Sequence, residues 1–350
     1  MNRRQFLVLT TAAASLPALV QAQPKPSKLP VWRGVNLLEK FNPTQNRPYQ
    51  ERHFRWMRDW GFNFVRLPMS YQCWSKPDPA VWMQMDEKVL REIDQAVEWG
   101  QKYKIHVNLN LHRIPGYCVN PPAEPLNLWK DEQAQKAAIH HWQTLARRYR
   151  KLSNKDVSFD LINEPPNIPE EDYANVIRML VKGIRKVSPK RLIIADGIRW
   201  GTGPVHSIAD LNVGQSTRGY NPTQISHYHA NWVNGSDKFP TPQWPMDIGE
   251  THWDKDLLRE RYIKPWKELE AKGVGIHVGE WGAYNRTPHD VALKWMEDNL
   301  QLWKEAGWGW ALWNLDGSFG FINSGRTDVA YETFEGEKLD RKMLELLQRY

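Results

Sequence analysis

The sequence predicts one α/β domain, a single (β/α)8 TIM barrel. Eight short runs rich in β-branched or aromatic residues are spaced along the chain, and amphipathic stretches of helical period lie between them. No Gly-rich phosphate fingerprint follows the first run, as an open doubly wound sheet would offer. A length of 350 residues suits one such barrel.

In chain order the expected strands are 32–37, 62–67, 105–111, 157–163, 192–196, 224–228, 274–280 and 308–314. Between the second and third, "MDEKVLREIDQAVEWGQKYK" sets Val89, Leu90, Ile93 and Val97 on one helical face. Segments 128–150, 170–187, 257–273 and 289–307 repeat that theme, and Gly61, Gly273 and Gly307 stop helices ahead of strands two, seven and eight.

Ahead of the barrel, Arg3-Arg4 precede Gln5-Phe6-Leu7 and an apolar run to Val20, with small residues suited to cleavage near Ala22. Residues 1–22 are expected to be a twin-arginine-like export signal, 23–30 ("QPKPSKLP") a linker and 31–350 the barrel, in a periplasmic or secreted protein. No other apolar run approaches the ~20 residues of a spanning helix, so the mature chain is expected to be free of the membrane and monomeric.

Composition narrows the function. The net charge of +7 falls by two with the signal's arginines, and the remaining basic residues are scattered over helix faces, which argues against nucleic acid as a partner. Two cysteines, Cys73 and Cys118, allow neither a disulfide framework nor a Cys-based zinc site, and leave open whether they pair with each other. Trp, at 19, outnumbers Tyr at 12 and Phe at 10; indole faces suit sugar rings as well as cores. Trp74, Tyr117, Trp129, Trp200, Trp232 and Trp281 fall in or near loops at the C-terminal ends of strands.

Barrel chemistry sits at that end. There the sequence places Arg66 in "FVRLP", His112 in "LNLHRIPG", Asn163 and Glu164 in "LINEPP", the run "ISHYHANW", Glu280 in "HVGEWG" and Trp313 in "ALWNLDG". Pro165 and Pro166 restrict the backbone just after Glu164, as a positioned carboxylate requires.

Taken together, "NEP" at 163–165 and "GEWG" at 279–282 resemble the acid/base and nucleophile motifs of the retaining glycoside hydrolases of family 5. The likeness runs from "RGVNL" at 33–37 to "WNLDGSFG" at 313–320. It implies a retaining glycosidase with Glu164 as acid/base and Glu280 as nucleophile, their carboxyls about 5–5.5 Å apart. It also implies that Asn163 binds the sugar 2-hydroxyl, that Arg66 and His112 line the site, and that Trp313 is the platform beneath the sugar. On strand six the family shows His-x-Tyr, whereas "ISHYHA" puts His227 and His229 on that spacing with Tyr228 between them. Whether Tyr228 or His229 meets the nucleophile is open, with Tyr284 a third candidate.

No metal or cofactor is expected, because the His-x-His lacks evident carboxylate partners. The expected substrate is an oligo- or polysaccharide, preferably a β-glucan. A β-mannan, or exo-action as a β-glucosidase or β-1,3-glucanase, is the alternative. A sugar-binding barrel without catalysis is the non-enzyme reading, against which the presence of both glutamates counts.

Overall fold

The computed structural model describes residues 29–350; the expected export signal and most of the expected linker lie outside them. Eight parallel strands close on themselves: β1 (Arg33–Asn36), β2 (Phe64–Ser70), β3 (His106–Ile114), β4 (Val157–Asp160), β5 (Ile193–Asp196), β6 (Gly214–Gly219), β7 (Ile276–Trp281) and β8 (Gly309–Leu312). β1 pairs with both β2 and β8, and β2 with β3, so the ring has no free edge. A two-residue strand, Tyr117–Cys118, folds back antiparallel on the end of β3.

Helices α1 (Glu51–Asp59), α2 (Glu87–Tyr103), α3 (Glu132–Tyr149), α4 (Glu170–Arg185), α5 (Lys264–Glu270), α6 (His289–Ala306) and α7 (Arg341–Arg349) wrap the barrel. Val89, Leu90, Ile93 and Val97 of α2 are buried, as their spacing requires. Between β5 and β6 the connection carries a 3-10 turn, His206–Leu211, rather than a long helix.

Seven expected strands overlap the barrel strands; the sixth does not. Residues 223–226 form a short helix, and strand six is Gly214–Gly219, "GQSTRG". This strand is buried throughout yet has no large apolar side chain, because its neighbours leave no room. A Cβ on Gly219 would come within 2.6 Å of the Trp303 ring and 2.8 Å of Trp281 Cβ. Bulk supplied by adjacent elements removed the apolar signal from the strand itself.

Aromatic rings close the N-terminal end of the barrel. Trp32 stacks on His106 at 4.2 Å and on Phe64 at 5.1 Å, while His277 meets Phe64 at 4.8 Å. Toward the other end the buried residues turn polar, through Asn108, Ser158 and Ser216 to the charged mouth. Trp32 is 4% exposed, and Trp32→Ala is expected to cost about 3–5 kcal/mol through lost contacts and the cavity left behind. Denaturant unfolding checks this; a loss under about 1 kcal/mol would mean that the ring does not seal the barrel.

Candidate active site

Glu164 and Glu280 are brought to the mouth by two local departures from regular strand geometry. On β7 the pairing with β6 slips between Val278 (opposite Thr217) and Glu280 (opposite Arg218), a bulge that leaves Gly279 as the extra residue. A Cβ on Gly279 would lie 2.4 Å from Ser216 Oγ, so glycine permits the bulge that aims Glu280 inward.

Just past β4, Glu164 has φ +46°, a left-handed conformation that costs a non-glycine residue about 1–2 kcal/mol. Three features hold it there. Its N–H donates to Asp196 Oδ2 at 2.9 Å, its carbonyl accepts from the Tyr117 hydroxyl at 2.6 Å, and Pro165 follows.

Two buried arginines bind the site together. From β2, Arg66 donates through Nε to Asp160 (2.8 Å), through Nη1 to Glu280 (2.5 Å) and Asn36 (3.1 Å), and through Nη2 to Asn163 (2.8 Å). From β6, Arg218 donates through Nε to Glu164 Oε1 (3.0 Å) and through Nη2 to Asn163 (2.8 Å), Glu280 Oε1 (3.4 Å) and Asp196. The Tyr220 hydroxyl donates to the other oxygen of Glu280 at 3.3 Å. Asn163 Oδ1 thus accepts from both guanidiniums, which leaves its amide nitrogen facing His112 at 3.4 Å.

Burial first, then the neighbouring charge of Glu280, pushes the Glu164 carboxyl up to about 8. Asp160 is likewise raised, by burial and then Asp196. Burial and the nearby Arg66 lower His112 to about 3, so its imidazole is neutral. The Tyr220 phenol is driven well above its usual value by burial, Glu280 and Glu164, and remains a donor.

Most of the residues picked out from sequence meet here: Glu164, Glu280, Arg66, Asn163 and His112. Trp313 flanks them, its ring stacked at 5.7 Å from that of His112 and meeting that of Phe41 edge-on at 5.4 Å.

Strand six differs from the expectation drawn from the sequence. The tyrosine that reaches Glu280 is Tyr220, which follows β6, and Arg218 two residues earlier occupies the place where histidine was expected. His227 caps the short helix instead; its ring packs 5.1 Å from Tyr220, and its Nδ1 lies 2.8 Å from Ser226 Oγ. Tyr228 and His229 pack ring to ring at 4.1 Å in the turn beyond, and Tyr284 packs against Trp232 and Phe319.

Sequence reasoning also missed Asn36, Asp160 and Asp196, although Asp196 did end an expected strand. Of the aromatic candidates, Trp74 and Trp281 are core, whereas Trp200 and Trp232 are 52% and 54% exposed. Cys73 and Cys118 are free thiols. Among the described residues no His/Cys/Asp/Glu group could hold a metal ion, and no helix is long and apolar enough to cross a membrane.

A closed (β/α)8 barrel with two glutamates from β4 and β7 facing one mouth defines a barrel glycosidase. The chain matches the family model described as cellulase (glycosyl hydrolase family 5) over residues 24–318, and it belongs to that family of O-glycosyl hydrolases. It is 26% identical over 308 residues to endoglucanase C of Acetivibrio thermocellus, covering 81% of this chain and 88% of that one. Cellodextrinase A of Ruminococcus flavefaciens is 24% identical over 71% of this chain and 73% of its own length. A solved structure described as a glycoside hydrolase superposes with TM-score 0.86 at 40% identity, over 91% of this chain and 98% of that one. An endoglucanase of Thermotoga maritima shares the fold, with TM-score 0.73 at 22% identity over 91% and 97%.

The raised Glu164 makes a statement about stability. Because its folded value exceeds the ordinary 4.5, the contribution is complete below about pH 4.5 and is lost as pH rises toward 8. Relative to Glu164→Gln, the native protein is expected to lose up to about 1.4 kcal/mol per pH unit across that window and to level off above it. Denaturant unfolding of both proteins from pH 5 to 9 measures the difference; parallel curves would contradict the assignment.

Proposed function

We propose that this chain is a retaining, endo-acting β-glucan hydrolase in which Glu164 is the general acid/base and Glu280 the nucleophile. The observation that carries the proposal is one guanidinium, Arg218, in contact with both carboxyls while their surroundings differ. Glu164 is pushed toward the protonated form, whereas the Arg66, Arg218 and Tyr220 groups that meet Glu280 are all donors. Retention needs this division between two close carboxyls.

Glu164 would give its proton to the glycosidic oxygen as a Glu280 oxygen bonds to the anomeric carbon and the carbon–oxygen bond to the leaving sugar breaks. Glu164, now a carboxylate, would then take a proton from water as that water displaces Glu280. Asn163, oriented by both arginines, is placed to bind the sugar 2-hydroxyl, and Trp313 to lie beneath the ring. The endoglucanase and cellodextrinase names of the relatives support a β-1,4-glucan as substrate.

The test is hydrolysis of β-glucans, β-mannan and aryl β-glycosides by the native protein, Glu164→Ala and Glu280→Ala, with and without azide. Each substitution is expected to lower kcat/KM on a β-glucan by about 10²-fold or more. Azide is expected to restore turnover of a dinitrophenyl β-cellobioside by Glu164→Ala with a β-glycosyl azide as product, and to give the α-azide with Glu280→Ala. The reverse pairing would exchange the roles, and undiminished activity in either variant would remove that residue from the mechanism.

A further inference from the structure

Arg218 contacts both glutamates, and its two contacts are not equivalent. Nε meets Glu164 Oε1 at 3.0 Å; Nη2 reaches Glu280 Oε1 at the longer 3.4 Å, while the Asp196 carboxylate holds the guanidinium from behind through both Nη atoms. Ser216 Oγ, at 3.0 Å from Nη1, fixes the fork further, and the side chain is 1% exposed, so water does not compete for these bonds.

We propose that Arg218 is a positioning residue that transfers its electrostatic support from one glutamate to the other during the reaction. This rests on the retaining mechanism proposed above. In the free enzyme Nε–H occupies Oε1 of Glu164, which leaves Oε2 to carry the proton given to the leaving oxygen. Once Glu280 is an ester of the sugar it carries no charge, and the fixed cation of Arg218 then faces the new carboxylate of Glu164. That carboxylate is held ionised until it accepts a proton from water. No group need move, because the redistribution follows from bond formation at Glu280.

Other charged and titratable groups bear on Glu164. Glu280 faces it from β7, Asp196 from β5, Tyr117 and Cys118 from the hairpin after β3, and Tyr220 from the end of β6. Among the largest influences on Glu164, Arg218 favours its ionised form, opposing Glu280 and Asp196. An arginine keeps its charge at every working pH, whereas a histidine buried here would lose it.

The experiment compares native protein, Arg218→Met and Arg218→Lys on dinitrophenyl β-cellobioside, whose departure needs no acid, and on a cello-oligosaccharide, whose departure does. In Arg218→Met the glycosyl-enzyme is expected to accumulate, seen by mass spectrometry as a cellobiosyl adduct. Its kcat on the aryl substrate is expected to fall about 10²-fold, far more than kcat/KM, and the acid limb of kcat to move up by about one pH unit or more. Arg218→Lys, which keeps the charge and loses the planar fork, is expected to restore most of the limb's position while remaining slow on the oligosaccharide.

Equal losses in kcat and kcat/KM on both substrates, with unmoved pH limbs, would overturn the inference and leave Arg218 a structural ion-pair partner. Should Arg218→Met not fold, an Arg218→Lys limb displaced by a full unit or more overturns it equally. If the native protein forms no covalent glycosyl-enzyme, the retaining mechanism itself fails, which is a separate result.

Discussion

Two guanidiniums, those of Arg66 and Arg218, are buried at the barrel mouth among four carboxyl groups, Asp160, Asp196, Glu164 and Glu280. Were all four ionised, the cluster would carry two uncompensated negative charges at a place where only the edge of Glu164 meets water, which is costly in a low-dielectric surrounding. The carboxyls that burial and like charge push toward the protonated form are Glu164 and Asp160. The raised carboxyl of Glu164 thus follows from crowding four acidic groups around two cations. Such a network adds little to stability in itself, yet removing one arginine would leave carboxylates unpaired at a cost of about 3–5 kcal/mol.

Geometry then separates the two glutamates. The bulge at Gly279 turns Glu280 into the ring of donors, and the left-handed backbone at Glu164, held by Asp196 and Tyr117, keeps the other carboxyl at the edge with 16% of its side chain exposed. One carboxyl sits among donors, and the other is partly open to solvent. Pro165 and Pro166 extend the constraint, since their carbonyls accept from the backbone of Trp200 and Arg199 and so tie the next loop to the Glu164 turn. The rigid strand end that the sequence suggested is thus stiffened from both sides.

What the sequence made legible follows from where bulk and charge reside. Strands with their own β-branched residues, such as "HVNLNLHRI" and "IHVGEW", were recognisable, and so were Arg66, His112, Asn163, Glu164, Glu280 and Trp313 at their ends. β6 was not, because its packing is supplied by Trp281 and Trp303 from elsewhere in the chain. The segment "QISHY" ten residues later drew the assignment, and Tyr220 and Arg218 were lost with it. Asp196 and Asp160 escaped for a different reason: an acidic residue at a strand end becomes informative only once the arginine facing it is known. "TRGYNP", with Arg and Tyr two apart ahead of a turn, was the signal available for β6.

The most direct measurement is to trap the covalent intermediate with an activated fluorosugar analogue of cellobiose and locate it by peptide mass spectrometry. One adduct per protein, on the peptide that carries Glu280 and absent from Glu280→Gln, is the result this account expects. A stable adduct on Glu164 or any other residue, or turnover with inverted configuration and no adduct, would contradict the division of roles proposed for the two glutamates.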